Sequence, residues 1–131
     1  MSDLKVNTIS GIGSGGFTGS VASDGGAVTT DLQQGLTKVW ASVKGTTTTE
    51  FLDSFNCSGL NDDDTGKTTV SFTNTMTDDN YSTTTSAQEN TFVHAHSAVA
   101  ASSIQLQSRG SDDQAFGDVD HYGVQITGDL A

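Results

Sequence analysis

The 131-residue chain contains no proline, one cysteine and only five basic side chains. Because Cys57 is alone, the chain forms neither an intrachain disulfide nor a thiolate zinc site of its own. Its neighbours alternate as in a strand, so we expect a buried structural thiol. Sixteen acids against five bases give a net charge of −11, which disfavours nucleic acid and anionic membranes as partners. This charge favours solubility, with bound divalent cations as the alternative.

Long apolar runs are also missing. Hydrophobic residues make up 33% of the chain, and no stretch approaches the length that spans a membrane. The first ten residues, MSDLKVNTIS, lack the apolar run of a signal peptide, so we expect synthesis in a cytoplasm. The low apolar share predicts a thin core that neighbouring subunits complete.

The sequence signatures of catalysis are absent as well. There is no G-x-S-x-G motif, and GIGSGG (residues 11–16) lacks the Lys-Ser/Thr and the helix that follow a phosphate-binding loop. His121 with Asp118 and Asp120 is similar to a general acid–base group, but no serine or cysteine stands beside it at a known spacing. We therefore expect a protein that is not an enzyme and requires no cofactor.

Threonine, serine and glycine, by contrast, fill 51 of the 131 positions. From Leu36 onward, apolar and polar residues alternate with period two in seven or eight short segments separated by turn residues. This pattern predicts an all-β fold, an antiparallel β-sandwich (jelly-roll-like), over residues 36–131. In the segment 46–60 the alternation assigns one common face to four residues, namely Phe51, Asp53, Phe55 and Cys57.

Three large aromatic residues raise a choice between packing and ligand binding. Trp40 lies on the strand face opposite Val39 and Val43, and we expect it in the core of the second sheet, needing only a partner for its N–H group. Tyr81 and Tyr122 are expected to pack as well. The alternative is that these rings stack on sugars.

Residues 1–35 differ in composition from the rest. The stretch 11–35 holds eight of the fifteen glycines and few large apolar side chains. We expect an extended amino-terminal arm over residues 1–35, in which Leu4, Val6 and Ile9 alternate as in a short strand.

An acidic turn is predicted within SGLNDDDTGKTTV. Asn61, Asp62, Asp63 and Asp64 accept turn geometries, and Gly66 supplies a positive-φ position before the next strand. The carboxylates are ligands of the type that Ca²⁺ prefers, but the glycine and distal glutamate of an EF-hand are missing. A solvated turn that discourages edge-to-edge strand pairing is the other interpretation.

Residues 37–87 resemble a repeated segment in fibre-like virion proteins of tailed phages, notably those of marine cyanobacteria. In that family a Val-Trp strand and a Gly-Thr turn precede a DSFNVSS strand, an acidic D-N-G-T-G turn, a YTVNFT strand and an AMxDxNY segment. The chain matches at Lys38-Val39-Trp40, Gly45-Thr46, Asp53-Ser54-Phe55-Asn56, Asp62, Thr65-Gly66, Thr69-Val70, Phe72-Thr73, Met76, Asp78 and Asn80-Tyr81. It departs from the pattern at Cys57 (usually valine), Asp64 (the first turn glycine) and Lys67 (an acid).

The resemblance implies a virion structural protein, a small surface appendage (fibre-like or head decoration). LKVNTI at the amino terminus is similar to the virion-attachment end of such proteins, so Leu4, Val6 and Ile9 become candidate docking residues. The implied partners are other virion proteins and two further copies in a homotrimer, and the implied location is the virion. The alternative is a receptor-binding adhesin that recognises host surface polysaccharide through the turns at residues 61–66 and 111–117.

His94 and His96 form the sharpest local feature, because spacing i, i+2 places both imidazoles on one face of a strand. Three such pairs around a threefold axis offer six nitrogen donors to a transition metal, and the resemblance to phage fibres favours such an inter-subunit site. The alternative is that both histidines line a polar sheet face or a subunit contact.

Overall fold

The structure is a computed structural model that describes residues 20–22, 29–31, 35–88, 91–110 and 115–131, with the backbone alone for 20–22, 29–31 and 95–97. These residues form ten β-strands. They are β1 (Ser20–Ala22), β2 (Thr29–Asp31), β3 (Thr37–Lys44), β4 (Glu50–Phe55), β5 (Cys57–Asp64), β6 (Lys67–Phe72), β7 (Ser82–Ala87), β8 (Thr91–Ala100), β9 (Ser103–Gly110) and β10 (Tyr122–Thr127).

The chain divides into two units, Met1–Leu36 and Thr37–Ala131, one residue beyond the predicted end of the arm. In the first unit β1 and β2 pair antiparallel, with Val21 opposite Thr30. The predicted docking residues Leu4, Val6 and Ile9 lie outside the described residues.

The second unit is an antiparallel β-sandwich, as the period-two pattern predicts. Its first sheet has the strand order β4–β3–β10–β7 and its second sheet the order β5–β6–β9–β8. It shares with a jelly roll the arrangement of eight strands in two sheets of four. Three pairs of consecutive strands (β3–β4, β5–β6 and β8–β9) are neighbours within the same sheet. No helix long and apolar enough to cross a membrane occurs in the described part of the chain.

The core lies between the two inner strands of each sheet. Alternate residues of β3, β10, β6 and β9 point inward and exclude water, and each fully buried aliphatic side chain contributes about 1.5–3 kcal/mol. The buried apolar residues are Val39, Ala41, Val43, Val70, Phe72, Met76, Ile104, Leu106, Tyr122, Val124 and Ile126. All four outer strands carry less buried surface, as the low apolar content predicts.

A corner at Asn56 passes the chain from the first sheet to the second. Asn56 has φ of 59°, in the left-handed region that asparagine tolerates better than most residues. Its side-chain amide donates to the Lys38 carbonyl oxygen (3.0 Å), and its backbone oxygen accepts from the Thr73 amide (3.0 Å). The segment 46–60 therefore splits into β4 and β5, and the sandwich has eight strands, in agreement with the predicted seven or eight.

The common face predicted for Phe51, Asp53, Phe55 and Cys57 is wrong. Ser42 lies opposite Asp53, whereas Val43 lies opposite Phe51, so Leu52 is an extra residue that forms a β-bulge. The bulge reverses the alternation of β4, leaving Phe51 packed against the core and Phe55 53% exposed.

Two tyrosines link the sheets, which confirms that they pack. The Tyr81 hydroxyl, just before β7, lies 3.1 Å from both the Ala100 and the Ser103 carbonyl oxygens of the β8–β9 turn. The Tyr122 hydroxyl of β10 donates to Thr68 Oγ1 of β6 at 2.6 Å. Burial raises the pKa of both phenols, that of Tyr81 to about 12.

Candidate functional site

The outer face of the first sheet carries two neighbouring rows of side chains. Because paired residues share a face, one row crosses all four strands through Phe55, Trp40, Gln125 and Thr84. The next row, two residues along each strand, runs through Asp53, Ser42, Gly123 and Ser86. We call these the Trp40 row and the Gly123 row.

An open groove of about 440 Å³ lies between the two rows, on the β3, β10 and β7 side. Gly123 forms its floor, and a Cβ atom there would lie 3.1 Å from Ser86 Oγ and 3.2 Å from the Ala41 oxygen. A larger residue in this position would fill the groove. Side chains of six residues border it, namely Trp40, Ser42, Thr84, Ser86, His121 and Gln125.

Trp40 is not in the core, and that prediction is wrong. Its strand neighbours Val39 and Ala41 face the core, so its indole projects outward and is 36% exposed. The second sheet packs on the opposite face of β3, which leaves no sheet to cover Trp40. The ring instead stands beside Phe55 at the wall of the groove.

His121 and Ser42 form a hydrogen-bonded pair at one end of the groove. Ser42 Oγ lies 2.7 Å from His121 Nε2, although 79 residues separate them in the chain. A Ser–His contact of this length is the geometry of an activated nucleophile. In a full triad a carboxylate orients the imidazole, and in the described part of the chain no carboxylate bonds to His121.

Asp118 and Asp120, which stand near His121 in the sequence, do not form an acid–base group with it. Asp120 Oδ1 accepts from Thr46 Oγ1 (2.8 Å), and Asp118 Oδ1 accepts from the Gly66 amide (2.7 Å). Both carboxylates therefore hold loops in place rather than the imidazole. The Ser42–His121 pair supplies the groove with one hydroxyl and one imidazole as hydrogen-bonding groups.

The predicted turn at Asn61, Asp62, Asp63 and Asp64 is wrong, because these residues continue strand β5 as far as Asp64 and only Thr65 and Gly66 make the turn to β6. We keep the name acidic turn for residues 61–66, whose carboxylates accept hydrogen bonds within the segment and from neighbouring strands and loops. Asp62 accepts from Thr49 (2.8 Å), and Asp64 accepts from Lys67 Nζ (3.1 Å). Asp63 accepts from Thr69 (2.5 Å), from Gln105 (2.9 Å) and from Asn61.

The hydrogen bonds of the acidic turn determine its electrostatics. Partial burial raises the pKa of Asp63, but its three donors outweigh that effect and hold the pKa below its usual range. The hydrogen bond from Lys67 lowers the pKa of Asp64. The carboxylates thus face different partners, and the described residues contain no group of three acids, histidines or cysteines arranged to hold a metal.

Gly66 closes this turn with φ of 65°, which confirms the predicted positive-φ position. Its carbonyl oxygen accepts from the Ser108 amide (2.9 Å). In the second predicted ligand turn, residues 111–114 lie outside the described residues. The Phe116 ring of that turn contacts the Arg109 guanidinium at 4.0 Å and Lys67 Nζ at 4.8 Å.

The histidine pair lies on β8, the edge strand of the second sheet. His94 is exposed and pairs with Gln107 of β9. The side chain of His96 lies outside the described residues, so the metal site stays a prediction. Cys57 is half-buried against the core, and burial raises the pKa of its thiol, as expected for a structural residue.

No protein-family model, curated protein or solved structure matches this chain. Local sequence patterns do not predict the groove, because its residues come from three strands that pair only in the folded chain. The local signal was the alternation of Trp40 with Ser42 and of Gly123 with Gln125, which assigns each pair to one face. That signal does not give the register that brings β3 beside β10.

Proposed function

We propose that this chain is a non-enzymatic structural protein of a tailed-phage particle, a small surface appendage of the fibre-like or head-decoration type. Residues 1–35 dock it to other virion proteins, and the sandwich projects from the particle. The observation that carries the proposal is the structural use made of the residues shared with fibre-like virion proteins.

The shared residues hold the sandwich together. Asn56 of the DSFN motif makes the corner between the sheets, and Gly66 makes the turn between β5 and β6. Met76 is buried to 2% exposure, and its amide donates to the Ala101 oxygen (2.8 Å). Tyr81 then anchors the β8–β9 turn. The resemblance thus covers one architectural block whose role is shape, which supports a structural function.

Assembly as a homotrimer is part of the proposal. Leu52 and Phe55, 52% and 53% exposed, lie on the edge strand β4, and exposed apolar side chains in one place are typical of protein contacts. The metal site predicted at His94 and His96 lies on β8, at the edge of the sandwich away from β4, so it needs a further contact that brings three β8 strands to the threefold axis; no cofactor is required. Light scattering is expected to give three times the 13.5 kDa chain mass.

Particle incorporation tests the docking role. A tagged chain supplied during infection is expected to sediment with the particles in a density gradient, whereas a variant lacking residues 1–35 stays in the soluble fraction. Circular dichroism of the shortened chain provides the control for folding. Incorporation without residues 1–35 would contradict docking through the arm.

A second function, that of an adhesin for host surface polysaccharide, is supported by the outward position of Trp40. An exposed indole beside hydroxyl and amide side chains is the combination used to bind sugars, because it joins an apolar surface to placed polar groups. The labelled chain is then expected to bind host cells and not mutant cells that lack surface polysaccharide. Equal binding to both cell types would contradict this function.

A further inference from the structure

We propose that the groove over Gly123 is a binding site for a neutral saccharide, an inference that rests on the adhesin function and gives it a location and a ligand class. One pyranose ring lies over Gly123, with its C–H face against the Trp40 indole. The acidic turn and the residue 111–117 turn, the ligand contacts suggested by the sequence, are then not the binding site.

The shape of the groove follows from the missing side chain. Gly123 lies between Ser42 and Ser86 in its row, so these two serines stand two strand spacings apart, about 9–10 Å. The neighbouring Trp40 row stands two residues away along the strands, about 6.6 Å. The gap is therefore walled on three sides and open to solvent above, as a site for one ring of a longer chain requires.

Trp40 provides the apolar wall. The C–H groups on one face of a pyranose ring form an apolar patch, and a flat indole buries that patch without breaking any hydrogen bond of the sugar hydroxyls. Phe55 stands on the other side of Trp40, on the edge strand β4, and does not line the groove, so the proposed trimer contact leaves the groove open. The indole costs little conformational entropy on binding because it has only two side-chain torsions.

The remaining groove residues match hydroxyl groups. Ser86 and Thr84 each offer a hydroxyl, and the Ser42–His121 pair offers one more hydroxyl together with an imidazole. The Gln125 Nε2 atom donates to Thr37 Oγ1 (2.5 Å), which fixes the amide and leaves its oxygen as an acceptor for a sugar hydroxyl. Such neutral groups bind hydroxyls by exchanging donors and acceptors.

Charge selects the class of saccharide. The residues that line the groove include no lysine, arginine, aspartate or glutamate, and Asp53 continues the Gly123 row at the edge strand. The chain as a whole carries a net charge of −11. A uronate, sulfate or sialate would meet repulsion without a compensating cation, so the ligand is a neutral hexose polymer.

The experiment uses the single tryptophan of the chain as its probe. The full-length chain is titrated with three neutral oligosaccharides (maltohexaose, cellohexaose and mannohexaose) and with an anionic oligogalacturonate, while Trp40 fluorescence is recorded. We expect a saturable change in emission with at least one neutral hexaose and a smaller change or none with oligogalacturonate. No saturable change with any of the neutral hexaoses would overturn the proposal, as would tighter binding of oligogalacturonate.

Variants then locate the site. Gly123→Val fills the groove and is expected to abolish binding, while Gln125→Ala, at an exposed position, is expected to weaken it about tenfold by loss of one hydrogen bond. Ser82→Ala, on β7 outside the groove, serves as the matched control with unchanged affinity. Because Gln125→Ala removes only a surface amide, it decides the result even if Gly123→Val folds poorly.

If both groove variants bind oligosaccharide with wild-type affinity, the groove is not the binding site, and the adhesin function still stands as long as the chain binds host cells. If the wild-type chain binds oligosaccharide but does not bind host cells, the adhesin function alone is contradicted.

Discussion

The side-chain oxygen of Asn56 accepts two hydrogen bonds from Asn74, one from its backbone amide (2.8 Å) and one from its side-chain amide (2.9 Å). In return Asn56 Nδ2 donates to the Asn74 carbonyl oxygen (3.2 Å) and to that of Lys38. One asparagine thus joins β3, the corner and the segment after β6. This contact fixes the angle at which the chain leaves the first sheet for the second.

Replacing Asn56 with alanine is expected to destabilise the protein by about 2–4 kcal/mol. Alanine tolerates the left-handed region less well than asparagine, because it has no polar side chain that can form hydrogen bonds locally. The change also leaves the Lys38 and Asn74 groups without their hydrogen-bond partner. Urea unfolding measures the loss, and Asn80→Ala in an exposed loop is the control. Asn56→Gly, which tolerates the φ value, should lose less; equal losses for the two variants would contradict a role of the backbone conformation.

At Gly66 any side chain is expected to be harmful. Alanine there would place its Cβ 2.7 Å from the Ser108 oxygen and 2.8 Å from the Gly117 nitrogen, at a φ of 65°. We expect a loss of at least about 1–2 kcal/mol from the backbone conformation alone. Thermal unfolding of Gly66→Ala, compared with Gly117→Ala where nothing lies within 4 Å of a Cβ, provides the measurement. Similar melting temperatures for the two variants would count against the packed turn.

Alkaline pH is expected to destabilise the sandwich through Tyr81. Burial raises the pKa of its hydroxyl from the usual value of 10.0 to about 12, so the folded state keeps the proton while the unfolded state releases it. The stabilisation is complete below about pH 10 and is lost as the pH rises toward 12. Unfolding free energy measured across this range should fall less steeply in Tyr81→Phe than in the wild type. A steeper fall in the variant would contradict this assignment.

The fall in stability at acid pH is expected to depend on Asp63. Its pKa is lowered in the folded state, so its stabilising effect is present above the unfolded value, about 3.9, and declines as the pH falls below it. Asp63→Ala should lower stability at neutral pH and flatten the acid dependence, since Thr69 and Gln105 lose their acceptor. Asp79→Ala, on an exposed loop, is the control and should match the wild type in urea titrations at neutral pH and at acid pH. An acid dependence unchanged in Asp63→Ala would show that the turn is held by other groups.

The alternation of apolar and polar residues predicts part of this architecture, and the rest depends on which strands pair in the folded chain. The alternation of Val39, Ala41 and Val43 predicts β3 because a half-buried strand needs one apolar face. The DSFNC stretch does not reveal the corner at Asn56, because this residue continues the alternation while its side chain makes the corner. The bulge at Leu52 is equally hidden, because an extra residue shows only against a paired strand.

The position of Trp40 illustrates the limit at the candidate site. A tryptophan on a strand face opposite the core fits a second buried layer or an exposed surface equally well, and only the sheet order decides. Likewise Ser42 and His121 are 79 residues apart, and their contact depends on the register of β3 with β10. The local alternation thus predicts which strand face a residue occupies, whereas the residues that meet in the groove depend on the pairing of distant strands.

The most direct test of the central claim is quantitative mass spectrometry of gradient-purified particles produced by the genome that encodes this chain. A particle-surface protein is expected in fixed ratio to the other structural proteins, in every fraction that holds intact particles. If the chain occurs only in the soluble fraction of the lysate, the proposed role as a virion protein is wrong.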